Sequence, residues 1–428
     1  MAINANPVRG TRDFLPKEMR LREAMQSVIL DVYKDAGFQR IQTPILEDIE
    51  RLNKSDGGEN LSLIFKILKR GEKLDLTKEN LTENDIADAG LRYDLTMPLS
   101  RYYAAHRAEL RSPFKVIQLD RVYRAERPQK GRYREFFQCD IDIIGDPTNR
   151  AETELIHTTA KALSALGFTD FTVRINDRRL LTGLITSSGF APEDVSSVCI
   201  TFDKLDKIGA EGVREELLAK GYDPAAVSAF AEKLLAGDAD GGIRDLAAVG
   251  ALSGCPEAAE SVAEIMKNVE VLAGERFRIV YDPSLVRGMG YYTGTIFEIA
   301  SPKFNSSIAG GGRYDKMVGK FLGEDVPAVG FSIGFERISD ILSEMQEAGE
   351  PLPFALGKPR LALLYDAEGD FAAVLGKAES LRKEGYEVTT VPRAKKLGKQ
   401  FAALARDGFA AYHIVGEDGI KQLTVKEE

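Results

Sequence analysis

Between Arg121 and Arg134 the chain sets six cations (Arg121, Arg124, Arg127, Lys130, Arg132 and Arg134) around one acid, Glu126. An isolated charge run is usually a solvated hairpin tip. Here the cations continue from the polar connection AERPQKGR into the flanking stretches FKVIQLDRVYR and YREFFQCDIDII, whose alternation and aromatic content predict two antiparallel strands. A cation on the core side of a strand is costly unless it is paired. The pattern therefore points to a bound polyanion, and arginine's planar fork suits phosphate oxygens.

Three further stretches carry chemistry. SLVRGMGYYTGTIFE places Arg287 among glycines, followed by two adjacent tyrosines, Tyr291 and Tyr292. AGGGRYDKMVGKF puts three glycines before Arg313 and Tyr314, and GFSIGFERI brings Arg337 to the start of a helix. Taken singly, these read as a hairpin turn, a tight turn and a surface arginine. Glycine also lets a backbone approach a ligand closely. Acids with acceptor capacity stand at Asp94 in LRYDLT and at Asp140 and Asp142 in FFQCDIDII, beside Gln138.

RAERPQKGRYREFFQ resembles motif 2 of the class II aminoacyl-tRNA synthetases, in the form found in histidyl-tRNA synthetases. GFSIGFERI resembles their motif 3 and IQTPILE their motif 1, while the two glycine-rich stretches are similar to signatures particular to the histidyl family. The likeness covers residues 7–345, beginning at VRGTRDFLP, and extends more loosely over the tail.

The resemblance implies that Arg124 holds the ATP α-phosphate and the amino-acid carboxylate. Glu126 would read the adenine amino edge, Phe136 would stack on adenine, and Arg132 and Arg337 would contact ATP. It casts Arg287 as the cation at the α-phosphate, so that Arg124 and Arg287 are the catalytic pair. Histidine would meet Asp94, Thr96, Arg124, Gln138, Asp142, Arg287, Tyr292 and Tyr314, with Asp142 as acceptor for the imidazole and Asp94 and Thr96 at the amino group. Many bacterial relatives carry glutamate at both acidic positions; aspartate here follows the archaeal and eukaryotic style. Gln129 and Lys130 would face the tRNA, as would Arg9 and Arg12 near its acceptor end. ATP enters with Mg²⁺ on its outer phosphates, and no metal ligand from protein side chains is assigned. Pro44 of motif 1 would lie at a homodimer interface.

These groups need a scaffold. Residues 17–37 predict an amphipathic helix stopped at Gly37, and 150–166 a second helix. Residues from about 180 to 270 are rich in Ala, Leu and Glu with helical spacing. β-structure resumes at FRIVYD, continues through YYTGTIFEIA, passes GGGRYD as a turn and closes at VPAVGFSIG. QEAGEPLPFALGK, with two prolines and two glycines, predicts a linker. Beyond it RLALLY, YEVTTV and AAYHIV alternate with helices as βαβαβ.

The expected fold class is α+β: an antiparallel sheet flanked by helices. Its catalytic core falls in two parts, 1–180 and 271–345, around a helical insertion at 181–270. A linker at 346–358 leads to an anticodon-binding α/β domain at 359–428, which is expected to be shortened because family tails run on past LTVKEE. In that tail Arg393, Lys395, Lys396 and Lys399 form a basic cluster at the opening of a helix, which reads equally as a contact for anticodon phosphates or as a solvated helix end.

Composition narrows the alternatives. At 428 residues, 44% hydrophobic and 29% charged, the chain is expected to fold as two or three domains. No run of about 18 apolar residues predicts a membrane span, and MAINANPVRGTRDF lacks the pattern of a signal peptide, so cytoplasm is expected. Cys139, Cys199 and Cys255 stand far apart, and His106, His157 and His413 have no ligand-spaced neighbour, which argues against a disulfide framework or a His-based metal site. The net charge of −9 argues against a nonspecific nucleic-acid coat but leaves room for a local basic patch.

The resemblance thus implies a histidine–tRNA ligase that forms histidyl-adenylate and pyrophosphate, then acylates the terminal ribose of tRNA(His). Its rival is the synthetase-like regulatory subunit of ATP phosphoribosyltransferase, a non-catalytic partner in histidine biosynthesis. Such relatives tend to lose the ATP-binding arginines, whereas Arg124, Arg132, Arg287 and Arg337 are all present. A sensor of uncharged tRNA would come fused to a kinase, and no kinase motif occurs.

Overall fold

The computed structural model describes residues 3–55, 59–128, 131–235, 245–286, 290–302 and 307–423. It divides into two compact units. One comprises Met1–Arg12 and Val28–Pro351, the other Asp13–Ser27 and Leu352–Glu428. The division after Pro351 falls inside the proline- and glycine-rich stretch 346–358.

Helix α1 (Pro16–Asp35) repeats Leu21, Met25, Ile29 and Tyr33 at four-residue spacing, all buried, and ends before Gly37, which takes a φ of +84°. The first unit then runs through β1 (Gln39–Arg40), β2 (Leu46–Asp48), α2 (Ile49–Ser55), β3 (Lys66–Leu68), α3 (Glu83–Ile86), β4 (Ala87–Leu91) and α4 (Thr96–His106). The long strands β5 (Phe114–Tyr123) and β6 (Glu135–Ile144) follow, with α5 (Arg150–Ala165) and β7 (Phe171–Asp177). The stretch expected to be helical contains α6 (Arg178–Ser187), α7 (Val195–Phe202), α8 (Leu205–Ala219), α9 (Pro224–Phe230), α10 (Leu246–Ser253) and α11 (Pro256–Ala273). The unit closes with β8 (Phe277–Tyr281), β9 (Thr295–Ala300), β10 (Ser307–Arg313), α12 (Asp315–Leu322), β11 (Ala328–Gly334) and α13 (Phe335–Glu347).

Eight of these strands form one sheet in the order β1-β5-β6-β11-β10-β9-β7-β8, antiparallel except for the parallel pairs at its two ends. The fold is α+β, as the pattern predicts. Alternation on β6 splits its residues between two environments. Cys139, Ile141 and Ile143 are buried apolar, while Gln138, Asp140 and Asp142 share the other face. Leu99 of α4 and Met317 and Val318 of α12 join Phe114, Val116 and Ile144 in one core cluster. Between α5 and β10, Arg313 meets Glu152 in a bidentate ion pair, 2.7 Å in both arms, with Glu152 nearly inaccessible.

GGGRYD is not a turn. Gly310–Gly312 lie within β10, paired to β9 on one side and β11 on the other. A Cβ on Gly311 would fall 2.0 Å from the Gly330 carbonyl oxygen, and one on Gly312 2.7 Å from that of Thr295. Glycine is present because neighbouring strands leave no room for a side chain, a constraint that local sequence does not display.

In the second unit β12 (Arg360–Tyr365), α14 (Phe371–Lys383), β13 (Glu387–Pro392), α15 (Leu397–Arg406), β14 (Ala411–Ile414) and β15 (Lys421–Gln422) make the βαβαβ pattern with one added strand. The sheet order is β13-β12-β14-β15, parallel except for β15. Leu361 and Leu363 join α14 residues in one cluster, while Ala362 and Leu364 join Leu404 of α15 in another. A strand covered on both faces reads as the unbroken apolar run RLALLY. Residues 13–27 belong here as well: Arg20 ion-pairs with Glu387 and donates to the carbonyls of Leu356 and Lys358 at 3.0 and 3.2 Å.

Candidate active site

The floor of one cavity of about 460 Å³ in the first unit is laid by β6, β11 and β10. At one end stands Arg124, directly after β5. Its guanidinium carbon lies 4.3 Å from the Tyr93 ring centre and 5.1 Å from that of Phe136, and Nε donates to the Tyr93 carbonyl at 3.2 Å. Two aromatic faces thus hold the cation in place before any ligand arrives. Arg132 ion-pairs with Glu126 at 3.3 Å, and Arg337, in the first turn of α13, donates to the Ser307 carbonyl. Glu336 beside it accepts from the Phe137 amide at 3.2 Å.

Two other cations of the cluster, Arg121 and Arg134, are committed elsewhere. Arg121 pairs across the strands with Glu135 at 3.2 Å and is not in the cavity wall. Arg134 donates to the carbonyls of Glu126 and Arg9, while its amide donates to the Gly10 carbonyl at 2.8 Å. Gly10 has a φ of +91°, and a Cβ there would fall 2.7 Å from Pro128 and 2.8 Å from Arg134. The opening VRGTR thereby packs against the motif 2 loop, with Arg12 donating to Tyr133 Oη at 3.2 Å. Arg127 is exposed.

At the other end the acids converge. Asp142, 4% exposed, accepts a 2.6 Å hydrogen bond from Tyr314 Oη. Gly330 lies directly across on β11, where a Cβ would come within 2.0 Å of Asp142 Oδ1. Burial pushes the Asp142 carboxyl up to about 7, the Tyr314 hydrogen bond opposes this, and Asp94 adds to it. Asp140, also buried, is pushed well above the usual carboxylate range by desolvation and then by Asp142. Asp94 caps the turn into α4, accepting from the Met97 amide at 3.1 Å, and Thr96 opens that helix. Tyr291 Oη reaches Asp94 Oδ2 at 3.5 Å, and Tyr292 also lines the wall.

The cavity therefore brings together Asp94, Thr96, Arg124, Glu126, Arg132, Phe136, Gln138, Asp142, Tyr292, Tyr314 and Arg337. Arg287, Gln129 and Lys130 lie outside the described residues. Arg393, Lys395, Lys396 and Lys399 are exposed in the second unit, around the start of α15. Sequence reasoning missed Tyr93, Tyr291, Ser332, Glu336 and Asp203 as wall residues. Tyr291 could have been found from its adjacency to Tyr292. Asp203, at the end of α7, carries no local signal at all: only the fold brings the helical segment to the cavity. Among the described residues no group of three or more His, Cys, Asp or Glu could hold a metal ion.

A sheet that presents stacked arginine at one end of a cavity and buried carboxylates at the other is suited to holding a polyphosphate beside an amino acid, the arrangement of an aminoacyl-tRNA synthetase. Comparison with known proteins agrees with that class. The family model for histidyl-tRNA synthetase matches residues 10–338. The histidine–tRNA ligase of Leifsonia xyli subsp. xyli is 45% identical over 98% of this chain and 97% of its own length. The crystal structure of histidyl-tRNA synthetase from Nostoc sp. PCC 7120 superposes with a TM-score of 0.77 at 29% identity, covering 97% of this chain and 93% of that one. A structure from Bacillus halodurans C, described as an ATP phosphoribosyltransferase regulatory subunit/histidyl-tRNA synthetase, superposes at 0.74 with 20% identity over 97% and 98% of the two chains, a likeness of fold. The chain belongs to the histidyl-tRNA synthetase family.

Proposed function

We propose that this protein is a histidine–tRNA ligase, which activates histidine with ATP to histidyl-adenylate and pyrophosphate and then acylates the 3′-terminal ribose of tRNA(His). The observation that carries the reading is the pair Asp142–Tyr314 in a space kept open by Gly330, sharing a cavity with Arg124. Asp142 accepts a ring N–H of the imidazole, while Asp94, Thr96 and Gln138 take the α-ammonium. A site built on such hydrogen bonds rejects analogues lacking them by roughly 10⁴-fold or more, which is selectivity enough without an editing domain.

Arg124 steers the substrate carboxylate onto the α-phosphorus and, with Arg287, neutralises the charge that develops as pyrophosphate leaves. The stacking of Arg124 on Tyr93 and Phe136 supports this role, because a preorganised cation needs no reorientation during reaction. Glu126 reads the adenine amino edge and Phe136 stacks on the base. Arg132 exchanges its Glu126 partner for the outer phosphates, and Arg337 secures the nucleotide. ATP arrives as its magnesium complex, with the ion carried on those outer phosphates.

Residues 1–12, 28–180 and 271–345 act as the catalytic core, 181–270 as the insertion and 359–428, with 13–27 joined to it, as the anticodon-binding domain, connected through 346–358. Gln129 and Lys130 face the tRNA, and Arg9 and Arg12 approach its acceptor end. Arg393, Lys395, Lys396 and Lys399 meet anticodon phosphates; their exposure at a helix N-terminus, where the backbone also favours anions, supports this. Two copies associate around Pro44, supported by exposed apolar side chains at Ile45, Leu46 and Leu68. The reaction takes place in the cytoplasm; no described helix is long and apolar enough to cross a membrane.

Pyrophosphate exchange measured with each of the twenty amino acids tests the proposal. Exchange with histidine alone is expected. No exchange, or better turnover of another amino acid, overturns it.

A further inference from the structure

Three buried acceptor atoms have no donor among the described residues: Gln138 Oε1 and Asp140 Oδ1 on the cavity floor, and Gln118 Oε1 on the neighbouring strand β5. Both amide nitrogens are already committed. Gln118 Nε2 donates to the Leu95 carbonyl at 2.9 Å, and Gln138 Nε2 to Ser332 Oγ at 3.3 Å. Ser332 stands opposite Asp140 across the strand pair, where its hydroxyl favours the ionised carboxyl. On the sheet Asp140 stands directly opposite Gln118 of β5 on one side and Ser332 of β11 on the other. Side chains so paired on one face have Cβ atoms about 4.5–5.5 Å apart, within easy hydrogen-bonding reach for Asp and Gln. An ionised Asp140 would leave a desolvated carboxylate oxygen facing a desolvated amide oxygen, acceptor against acceptor. One proton resolves both.

We propose that Asp140 is a positioning residue that works as a neutral carboxylic acid, donating its proton to Gln118 Oε1. Hydrogen bonds then run in one direction from Gln138 through Ser332, Asp140 and Gln118 to the Leu95 carbonyl. Each end of the chain has a consequence. Leu95 lies between Asp94 and Thr96, so the chain anchors the segment that enters α4. At the other end Gln138 has spent its amide nitrogen, which fixes Oε1 as an acceptor for the α-ammonium of histidine; this consequence rests on the proposed function. Neighbouring charges are consistent with the proton. Asp142 on the same strand and Asp94 before α4 favour it, Arg124 and the Ser332 hydrogen bond oppose it, and burial exceeds them all. The tyrosines whose environment includes Asp140, Tyr33 and Tyr314, are themselves raised well above their ordinary range by burial, so they stay neutral.

Full-length wild type, D140N and D140A test the idea. In D140N the new amide donates to Gln118 Oε1 and its oxygen accepts from Ser332, so KM for histidine in pyrophosphate exchange stays within about threefold of wild type. D140A orphans both partners and raises that KM about tenfold or more. The infrared difference spectrum, wild type minus D140N, taken without substrate at neutral pH, shows the carbonyl stretch of a protonated carboxylic acid. A spectrum with carboxylate bands only, or a folded D140N as impaired as D140A, overturns the inference and makes Asp140 an ionised group. Should D140A not fold, D140N and the infrared band still decide. Should wild type fail to exchange with histidine, the proposed reaction fails, while the substrate-free band still reports the proton.

Discussion

Replacing Gly330 with alanine would put a methyl carbon 2.0 Å from Asp142 Oδ1 and 3.3 Å from Tyr314 Cε1. Ordinary van der Waals contact begins at 3.4 Å, so the nearer approach is short by about 1.4 Å. β11 cannot easily yield, because Gly330 is paired with Asp142 of β6 on one side and Gly312 of β10 on the other. The carboxylate must swing instead, stretching the 2.6 Å hydrogen bond from Tyr314. Moving a substrate-positioning group by about an ångström costs roughly 10²-fold, or about 2.7 kcal/mol of transition-state stabilisation. The end proposed for the nucleotide is held by different contacts, Arg124 on Tyr93 and Phe136 and Arg337 on Ser307. G330A is therefore expected to lower kcat/KM for histidine about 10²-fold while KM for ATP stays within about threefold. Pyrophosphate exchange with each substrate varied in turn separates the two, and thermal unfolding checks that the variant is folded. An unchanged histidine term, or equal loss for histidine and ATP, would refute the reasoning.

R287A should reduce histidine-dependent exchange by on the order of 10²–10³-fold, the effect of losing one preorganised charge partner; near-normal exchange would contradict its catalytic role. Asp142 titrates near 7 in the fold and about 4 when unfolded, so the folded state holds its proton more tightly and the group's contribution to stability falls as pH rises through that window. The melting temperature of D142N relative to wild type should accordingly climb between those pH values, and a flat difference would show that burial does not shift the group. R313A strands the nearly inaccessible Glu152 carboxylate and should cost roughly 3–5 kcal/mol in urea unfolding; a loss under about 1 kcal/mol would place the pair with surface ion pairs. Removing the charges of Arg393, Lys395, Lys396 and Lys399 together should raise KM for tRNA and flatten its salt dependence without altering pyrophosphate exchange. Impairment of both reactions alike would argue against a separate tRNA-binding unit.

Much of the site was legible because two local rules carry far. Period-two alternation in FFQCDIDII already puts Gln138, Asp140 and Asp142 on one face, whatever that strand pairs with. A cation-rich connection between two strands announces a polyanion before any fold is known. The helical stretch after β7 and the βαβαβ tail follow from composition and spacing in the same way.

Other features depend on strands meeting that are far apart in the chain. Tyr314 finds Asp142 across 172 residues, and neither neighbourhood contains the other. The glycines of β10 read as a turn because glycine is locally permissive, but their cause is the crowding of β9 and β11 on either side. Gln118 and Ser332 are ordinary polar residues until pairing sets them on each side of Asp140. Even residues 13–27 join the second unit through Arg20, whose partners lie more than 330 positions away. Sequence alone determined which residue types were available and which of them shared a face. Tertiary structure decided which faces met, because packing distances and hydrogen-bond direction arise only between segments that the chain holds far apart.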